Sequence, residues 1–332
     1  MHIISFSNII WKVKQKSKSI FFMRYIFLVS SIFVYLVTSA IYLQQDDDVI
    51  QVKDEIISKR SSIGKAQNLS YKSVKYLIEE EDFCHRGKKY EIIGYVHSVI
   101  SRAENRRVTR ETWANATNNI AVIFVVGLPK NDEERKLILH ESRVYKDILQ
   151  VDLSEDYHLL SYKGLSALSW ISHHCQHVPW TLHADDDVLV DIFLLTMNLR
   201  SYDIKTTDHF YCNAMYSKAM REGKWAVSYE EYPAVQYPVF CSGGMWVLPT
   251  KVIPRLLKAS EEVPFLWVDD AYVTGVLAER ANVSRHGDPD GYGSDIIRTK
   301  DIGIYHAWHS IKGDRKYWWK KIVRIYANLI PE

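Results

Sequence analysis

The chain lacks the glycine-rich signatures by which many nucleotide-binding proteins are known. Neither Gly-x-Gly-x-x-Gly nor Gly-x-x-x-x-Gly-Lys-Ser/Thr occurs, which disfavours a standard dinucleotide fold and a P-loop. No internal repeat is present. Excess charge of one sign is also missing. The 42 Lys and Arg against 40 Asp and Glu leave a net +2, which gives no basis for a nucleic-acid partner. Cysteine is scarce, at four: Cys84, Cys175, Cys212 and Cys241. An even set allows two disulfides in an oxidising compartment, in any of three connectivities, or else buried thiols. His173, His174, Cys175 and His177 crowd together but match no standard zinc spacing. Histidines at the end of a helix suit its dipole instead.

The amino-terminal region is set apart from the rest. Tyr25 to Leu43 is uncharged and mostly apolar, and as a helix it spans roughly 28 Å, close to the hydrocarbon core of a bilayer. Lys12, Lys14, Lys16, Lys18 and Arg24 precede it, and Asp46, Asp47 and Asp48 follow. The positive-inside rule then leaves residues 1–24 in the cytosol and carries the remainder across. A cleaved signal peptide ending near Thr38-Ser39-Ala40 competes, but the apolar run and the basic region are both long for one. The expected order is a tail at 1–24, an uncleaved type II signal anchor at 25–43, a polar stem at 44–85 and a lumenal catalytic body at 86–332. Asn68, Asn115 and Asn282 open glycosylation triplets.

Within the body, apolar runs at Tyr90–Val99, Ile120–Gly127, Asp147–Leu153 and Val178–Ala184 read as strands. Helical patterns at Asn105–Trp113, Asp132–Tyr145 and Tyr157–Ile171 fall between them. Strands alternating with helices predict an α/β fold with a mainly parallel, helix-flanked central sheet. The 10 Trp and 21 Tyr suit a large core and a site that stacks rings.

The chemistry concentrates at Asp185-Asp186-Asp187, which follows a strand directly. Carboxylates there stand at the sheet's carboxyl edge, where open α/β sheets bind ligands. Packed acids repel, and a hard divalent cation that also holds a substrate phosphate would relieve them. Asp46-Asp47-Asp48 has no strand before it and reads as a solvated charge run. Arg106 and Arg110 lie one helical turn apart in Arg-x-x-x-Arg-x-Thr-Trp, which ends at Trp113. Their forks suit phosphates or buried carboxylates of the fold. Tyr157 and Lys163 share the segment before the acidic strand and suit either packing and solvent or the diphosphate side. Gly243 and Gly244 end a Pro-to-Gly-Gly segment that reads as a tight turn or a point of close ligand approach. Asp269 and Asp270 open a helix, where carboxylates are favoured in any case, and Asp270 there is a candidate general base. His306 ends a late strand and His309 follows; either suits a structural place or a metal's coordination shell.

Together these blocks resemble the β1,3-glycosyltransferases of family 31, the galactosyltransferase and N-acetylglucosaminyltransferase type related to fringe. The resemblance runs from about Lys89 to His309, and five blocks keep the family's order: Arg106–Trp113, Asp152–Lys163, His183–Asp191, Tyr237–Val247 and Asp269–Gly275. Asp269 stands where Glu is usual, Ala271 for Val, Met245 for a third Gly, and His183 where Lys is common. The resemblance implies a GT-A-like fold with Mn²⁺ at Asp185 and Asp187, and His306 or His309 is the candidate for a third ligand. It implies a UDP-sugar donor held by Arg106, Arg110, Trp113, Lys163, Asp186, Gly243 and Gly244. Asp270 would be the base, in an inverting transfer of a hexose or N-acetylhexosamine to a glycan on glycoprotein or glycolipid, in the Golgi membrane. A catalytically inactive relative, serving as chaperone or partner of another transferase, is the alternative. A lectin-like binder would not need Asp270. A hydrolase with paired carboxylates would not need a membrane-anchored metal site. Oligomeric state is left open.

Overall fold

Two strands buried at every position, Ile92–His97 (β2) and Ile120–Val126 (β3), form the middle of the protein. Such runs are stable only where helices cover both faces of a sheet. The computed structural model describes residues 70–86, 89–115, 119–287, 292–293, 302, 306–308 and 314–327, all within the unit Leu69–Glu332. The expected tail, anchor and most of the stem lie outside these residues, as do Asn68, the Asn115 side chain and His309. No described helix is long and apolar enough to cross a membrane.

The remaining strands of the main sheet are Tyr76–Ile78 (β1), Ile148–Val151 (β4), Trp180–Asp185 (β5), His209–Met215 (β7), Phe240–Pro249 (β8) and Ser284–Gly287 (β9). Their order is β1-β4-β3-β2-β5-β8-β7-β9. β4, β3, β2 and β5 are parallel, as expected from the alternation of strand and helix. Beyond β5 the expectation of a mainly parallel sheet fails, because β8 runs antiparallel to β5 and β7 antiparallel to β8. No helix lies between β7 and β8, and strands joined without a crossover helix pair antiparallel. The sheet is mixed.

Alternation along the strands divides the core. Ile93, Tyr95, Ile123 and Val125 pack with residues of the Leu160–His174 and Ile253–Ala259 helices and of the π-helix Ala271–Leu277. Ile92, Val96, Phe124 and Val126 pack with residues of the Ile192–Leu199 and Arg315–Tyr326 helices and with Ile138 of the Asp132–Tyr145 helix. The strand order reverses between β2 and β5: β3 and β4 lie to one side of β2, and β5 to the other. At this switch point His97 is in register with Asp185, so both carboxyl ends open into one crevice. A small second sheet joins Tyr292–Gly293 (β10), Ala307–Trp308 (β11) and Leu189–Val190 (β6), which holds the segment after the acidic triplet.

All four cysteines are paired, as Cys84–Cys175 and Cys212–Cys241. The first ties the segment before β2 to the end of the Leu160–His174 helix; the second ties β7 to β8. His173 and His174 occupy that helix's last turn, as the dipole argument expects. Cys84–Cys175 closes a sequence separation of 91, so replacing both residues by Ser should cost about 2–4 kcal/mol, read as a lower urea midpoint. An unchanged midpoint would show that the link adds nothing to stability.

Candidate active site

The tip after β5 alternates. Asp186 is 1% exposed, while Asp185 and Asp187 on either side are half-buried. Asp186 points inward because donors await it there. Ser98 Oγ donates to it at 2.6 Å, Arg102 at 3.0 Å and Asn105 at 3.0 Å, and Arg315 donates to its backbone carbonyl at 2.7 Å. Asp186 therefore serves as the anchor of the tip, and its neighbours are presented outward.

Of the two uses open to the arginines, the structure places both on carboxylates of the fold. Arg106 is fully buried, donating to Glu141 at 2.8 and 2.6 Å, to Ser98 Oγ at 3.0 Å, and to the Val99 and Ile100 carbonyls at 2.5 and 3.0 Å. Every N–H of its guanidinium is engaged, so none is left for a phosphate. Arg110 grips Asp147 at 2.7 and 2.8 Å and Glu141 at 2.7 Å. Trp113 is buried and donates to the Val188 carbonyl at 3.1 Å, bracing the turn beyond Asp187. Lys163 is buried too, donating to the Ser98 carbonyl at 2.6 Å and to Glu155 at 2.8 Å. Burial lowers its ammonium pKa, with Glu155 opposing. These four side chains form a scaffold behind the crevice.

Gly243 and Gly244 lie inside β8, so of the two readings open to them the tight turn fails. Cys212 pairs with Trp246 while Ala214 pairs with Cys241, so the glycines fall in a bulged stretch whose length β7 sets. The bulge brings β8 against Asp270: a Cβ on Gly243 would stand 3.2 Å from its Oδ2. Asp270 caps the π-helix, with Oδ1 accepting from Ala271 N at 2.8 Å. Burial pushes its carboxyl up to about 6; the Ala271 N–H pulls it down and the Asp185 charge raises it further. Asp269 is buried more deeply and is raised well above the ordinary carboxylate range, by burial first and then by Asp270 and Asp185.

Asp185 and Asp187 present half-buried carboxylates at a sheet edge, the donor set a hard cation takes, so these residues fit Mn²⁺. His306 is buried, with Nε2 accepting from Asn198 at 2.6 Å and Tyr211 Oη 3.2 Å away. That nitrogen is already occupied by the fold. Asn282 is exposed at a left-handed φ of 53°, in the turn before β9.

Ser98, Arg102, Asn105, Glu155, Arg315 and His97 belong to the site and had not been singled out from the sequence. Their polar character is ordinary, and only the strand order gathers them. Position alone marks His97, one residue before Ser98 at the end of β2.

Residues 104–289 match the family described as Galactosyltransferase. Beta-1,3-galactosyltransferase 2 of Homo sapiens is 29% identical over 215 residues, covering 62% of this chain and 51% of that protein. Lactosylceramide 1,3-N-acetyl-beta-D-glucosaminyltransferase B of Danio rerio is 29% identical over 226 residues, covering 63% and 59%. The chain spans about half the length of the curated relatives it matches. Among solved structures, a galactosyltransferase in complex with donor and acceptor sugar analogues aligns at TM-score 0.38 and 14% identity, covering 73% of this chain and 98% of that one, a likeness too low to carry an argument.

The raised Asp270 carboxyl has a consequence for stability. The folded state holds this proton up to about pH 6 and the unfolded chain only to 3.8, so this group's contribution to stability falls as pH rises between the two. In metal-free protein, Asp270→Asn should therefore raise the thermal midpoint at pH 7 and lose that advantage at pH 3.5. Equal midpoints of variant and wild type at pH 7 would show that burial does not perturb the carboxyl.

Proposed function

The chain belongs to the galactosyltransferase family, and on that footing we propose that it is an inverting, metal-dependent glycosyltransferase. It moves a hexose or N-acetylhexosamine from a UDP-sugar to a glycan hydroxyl on glycoprotein or glycolipid, in β1,3 linkage. The observation that carries this is the facing of two kinds of carboxylate across one crevice. Asp185 and Asp187 stand half-buried at the switch point, and Asp270 lies behind Gly243 with its carboxyl up to about 6. The mixed, helix-covered sheet suits the GT-A arrangement that the sequence resemblance implies.

Asp185 and Asp187 would hold the divalent cation, Mn²⁺, which when bound supplies positive charge to the leaving diphosphate. Asp270 accepts the acceptor hydroxyl's proton at pH above about 6. The freed oxygen bonds to the sugar's anomeric carbon as the bond from that carbon to the UDP oxygen breaks, with the electron pair leaving on UDP. Attack from the opposite face inverts the configuration, and no covalent enzyme intermediate forms. An acceptor platform lies at hand. Trp225 donates to the Tyr157 hydroxyl at 3.2 Å, Tyr157 stands edge-on to Trp267 at 5.9 Å, and both Trp225 and Tyr157 are exposed. The Asp270 and Asp185 charges help to raise the Tyr157 pKa, after burial, which puts these rings within electrostatic reach of the base. Exposed aromatic faces suit the apolar face of a sugar.

We place the body in the Golgi lumen behind a type II anchor at 25–43, and two disulfides suit that oxidising compartment. The inactive-relative alternative predicts loss of a site carboxylate, whereas Asp185, Asp187 and Asp270 are all present.

The test is UDP release from UDP-sugars over a panel of glycan acceptors, with and without Mn²⁺. Release should require donor, acceptor and metal together. Asp270→Asn should lower kcat by about 10²–10⁴-fold with the donor KM little changed. Turnover undiminished in Asp270→Asn would remove it as the base. A folded protein with no affinity for UDP and Mn²⁺ would sink the assignment of Asp185 and Asp187.

A further inference from the structure

Deeper than Asp185 and Asp270 lies a second group of ligand-type side chains that the proposed transfer does not use. His97 ends β2, His183 lies two residues before Asp185 on β5, and Asp269 precedes Asp270. One ligand atom from each comes within 4.8 Å of the others. The side chains are 5%, 2% and 9% exposed. Polar atoms this deeply buried are normally hydrogen-bonded. Here His97 Nδ1 and Nε2, His183 Nδ1 and Asp269 Oδ1 have no hydrogen-bond partner among the described residues. His97 Nδ1 lies 3.9 Å from Asp269 Oδ2, too far for a hydrogen bond.

The tautomer of His183 is fixed by its surroundings. Its Nε2 lies 3.2 Å from the Gly243 carbonyl, which can only accept, so Nε2 carries the proton and Nδ1 keeps a bare lone pair. An imidazole held through one N–H on a backbone carbonyl, with the other nitrogen free, is how metal-bound histidines are oriented. Glycine at 164 keeps that side of the group uncrowded. A Cβ there would stand 3.0 Å from Asp269 Oδ1 and 3.4 Å from His97 Nε2. Tyr95 and Trp246 wall the group, each with its ring 4.9 Å from that of His183. His183 and Asp269 are also two of the positions where the chain departs from the pattern it resembles.

We propose that His97, His183 and Asp269 form an inner metal site for an ion of the Zn²⁺ class, distinct from the hard-cation site at Asp185 and Asp187. Two imidazoles and one carboxylate favour Zn²⁺ or Co²⁺ over Mg²⁺. Tetrahedral ligand atoms at about 2.0–2.2 Å from zinc stand roughly 3.3 Å apart, so side-chain rotations of about 1 Å close the present spacing. The ion would tie the ends of β2 and β5 to the start of the π-helix that carries Asp270. Its role is to position, not to react.

The experiment titrates the metal-stripped full chain with Co²⁺ in excess Mg²⁺, which occupies the outer site. One equivalent should bind with the visible absorption of four- or five-coordinate Co²⁺ and be displaced by Zn²⁺. Asp185→Asn should keep that spectrum. His97→Gln and Asp269→Asn should weaken binding roughly 100-fold or more, since even outer-shell partners of a metal cost 10–100-fold. Near-UV circular dichroism in chelator checks that each variant is folded, and the nearly isosteric Asp269→Asn carries the test if His97→Gln does not fold. Folded wild type that takes up no Co²⁺ would overturn the proposal and leave a proton between Asp269 and His97. So would a spectrum that survives Asp269→Asn but vanishes in Asp185→Asn. Because the readout is bound metal, its failure is distinguishable from failure of the transfer reaction.

Discussion

One buried carboxylate sets the geometry of the crevice. Asp186 cannot be left uncompensated in the interior, since a lone buried charge costs several kcal/mol. Ser98, Arg102 and Asn105 supply the compensation, and all three follow β2. The tip after β5 is thereby tied to the loop after β2, across the point where the strand order reverses. Ser98 is held in turn by Arg106, and Arg106 by Glu141. With Asp186 fixed inward, the backbone at the strand end sends Asp185 and Asp187 the other way. Their outward presentation follows from the inward pull on their neighbour.

The same network explains how the crevice tolerates its acids. Burial raises the proton affinity of Asp269 and Asp270, the Asp185 charge raises both further, and Asp270 adds to the effect at Asp269. The cations of the scaffold are turned away from these three. Arg106 and Arg110 serve Glu141 and Asp147, and Lys163 serves Glu155 and the Ser98 carbonyl. Arg102 and Arg315 do bring positive charge to the tip, but they bond Asp186 itself. A donor's diphosphate brought in without a metal would add to the repulsion, so metal and donor are expected to be taken up together.

Much of this was legible in the sequence, and the limits have physical causes. Strands β2 to β5 and the acidic end of β5 could be read because local patterning dictates them, whereas β1 lies within the segment read as stem and owes its place to pairing with β4. The target of Arg106 could not, because Glu141 lies 35 residues away and only packing of the Asp132–Tyr145 helix brings it near. Glycines read as a turn became part of β8 because the bulge is imposed by pairing with β7, which no local signal announces. His97 passed unnoticed because a lone histidine at a strand end is unremarkable until β5 sets Asp185 beside it. The mixed character of the sheet was hidden for a related reason. Strand direction depends on what lies between strands, and the segment from β7 to β8 has no strong pattern.

Two adjacent aspartates show how far position outweighs residue type. Asp269 and Asp270 differ by one place in the chain, yet one is buried between His97 and Gly164 and the other lies behind Gly243 at the crevice. The π-helix begins here, and Asp270 as its cap points along the first N–H groups, which lower its proton affinity. Asp269 has no such donor and is raised further. One place in the chain therefore separates the environments: Asp270 lies against Gly243 of β8, where the proposed transfer uses it as base, and Asp269 lies beside His97 in the proposed inner site.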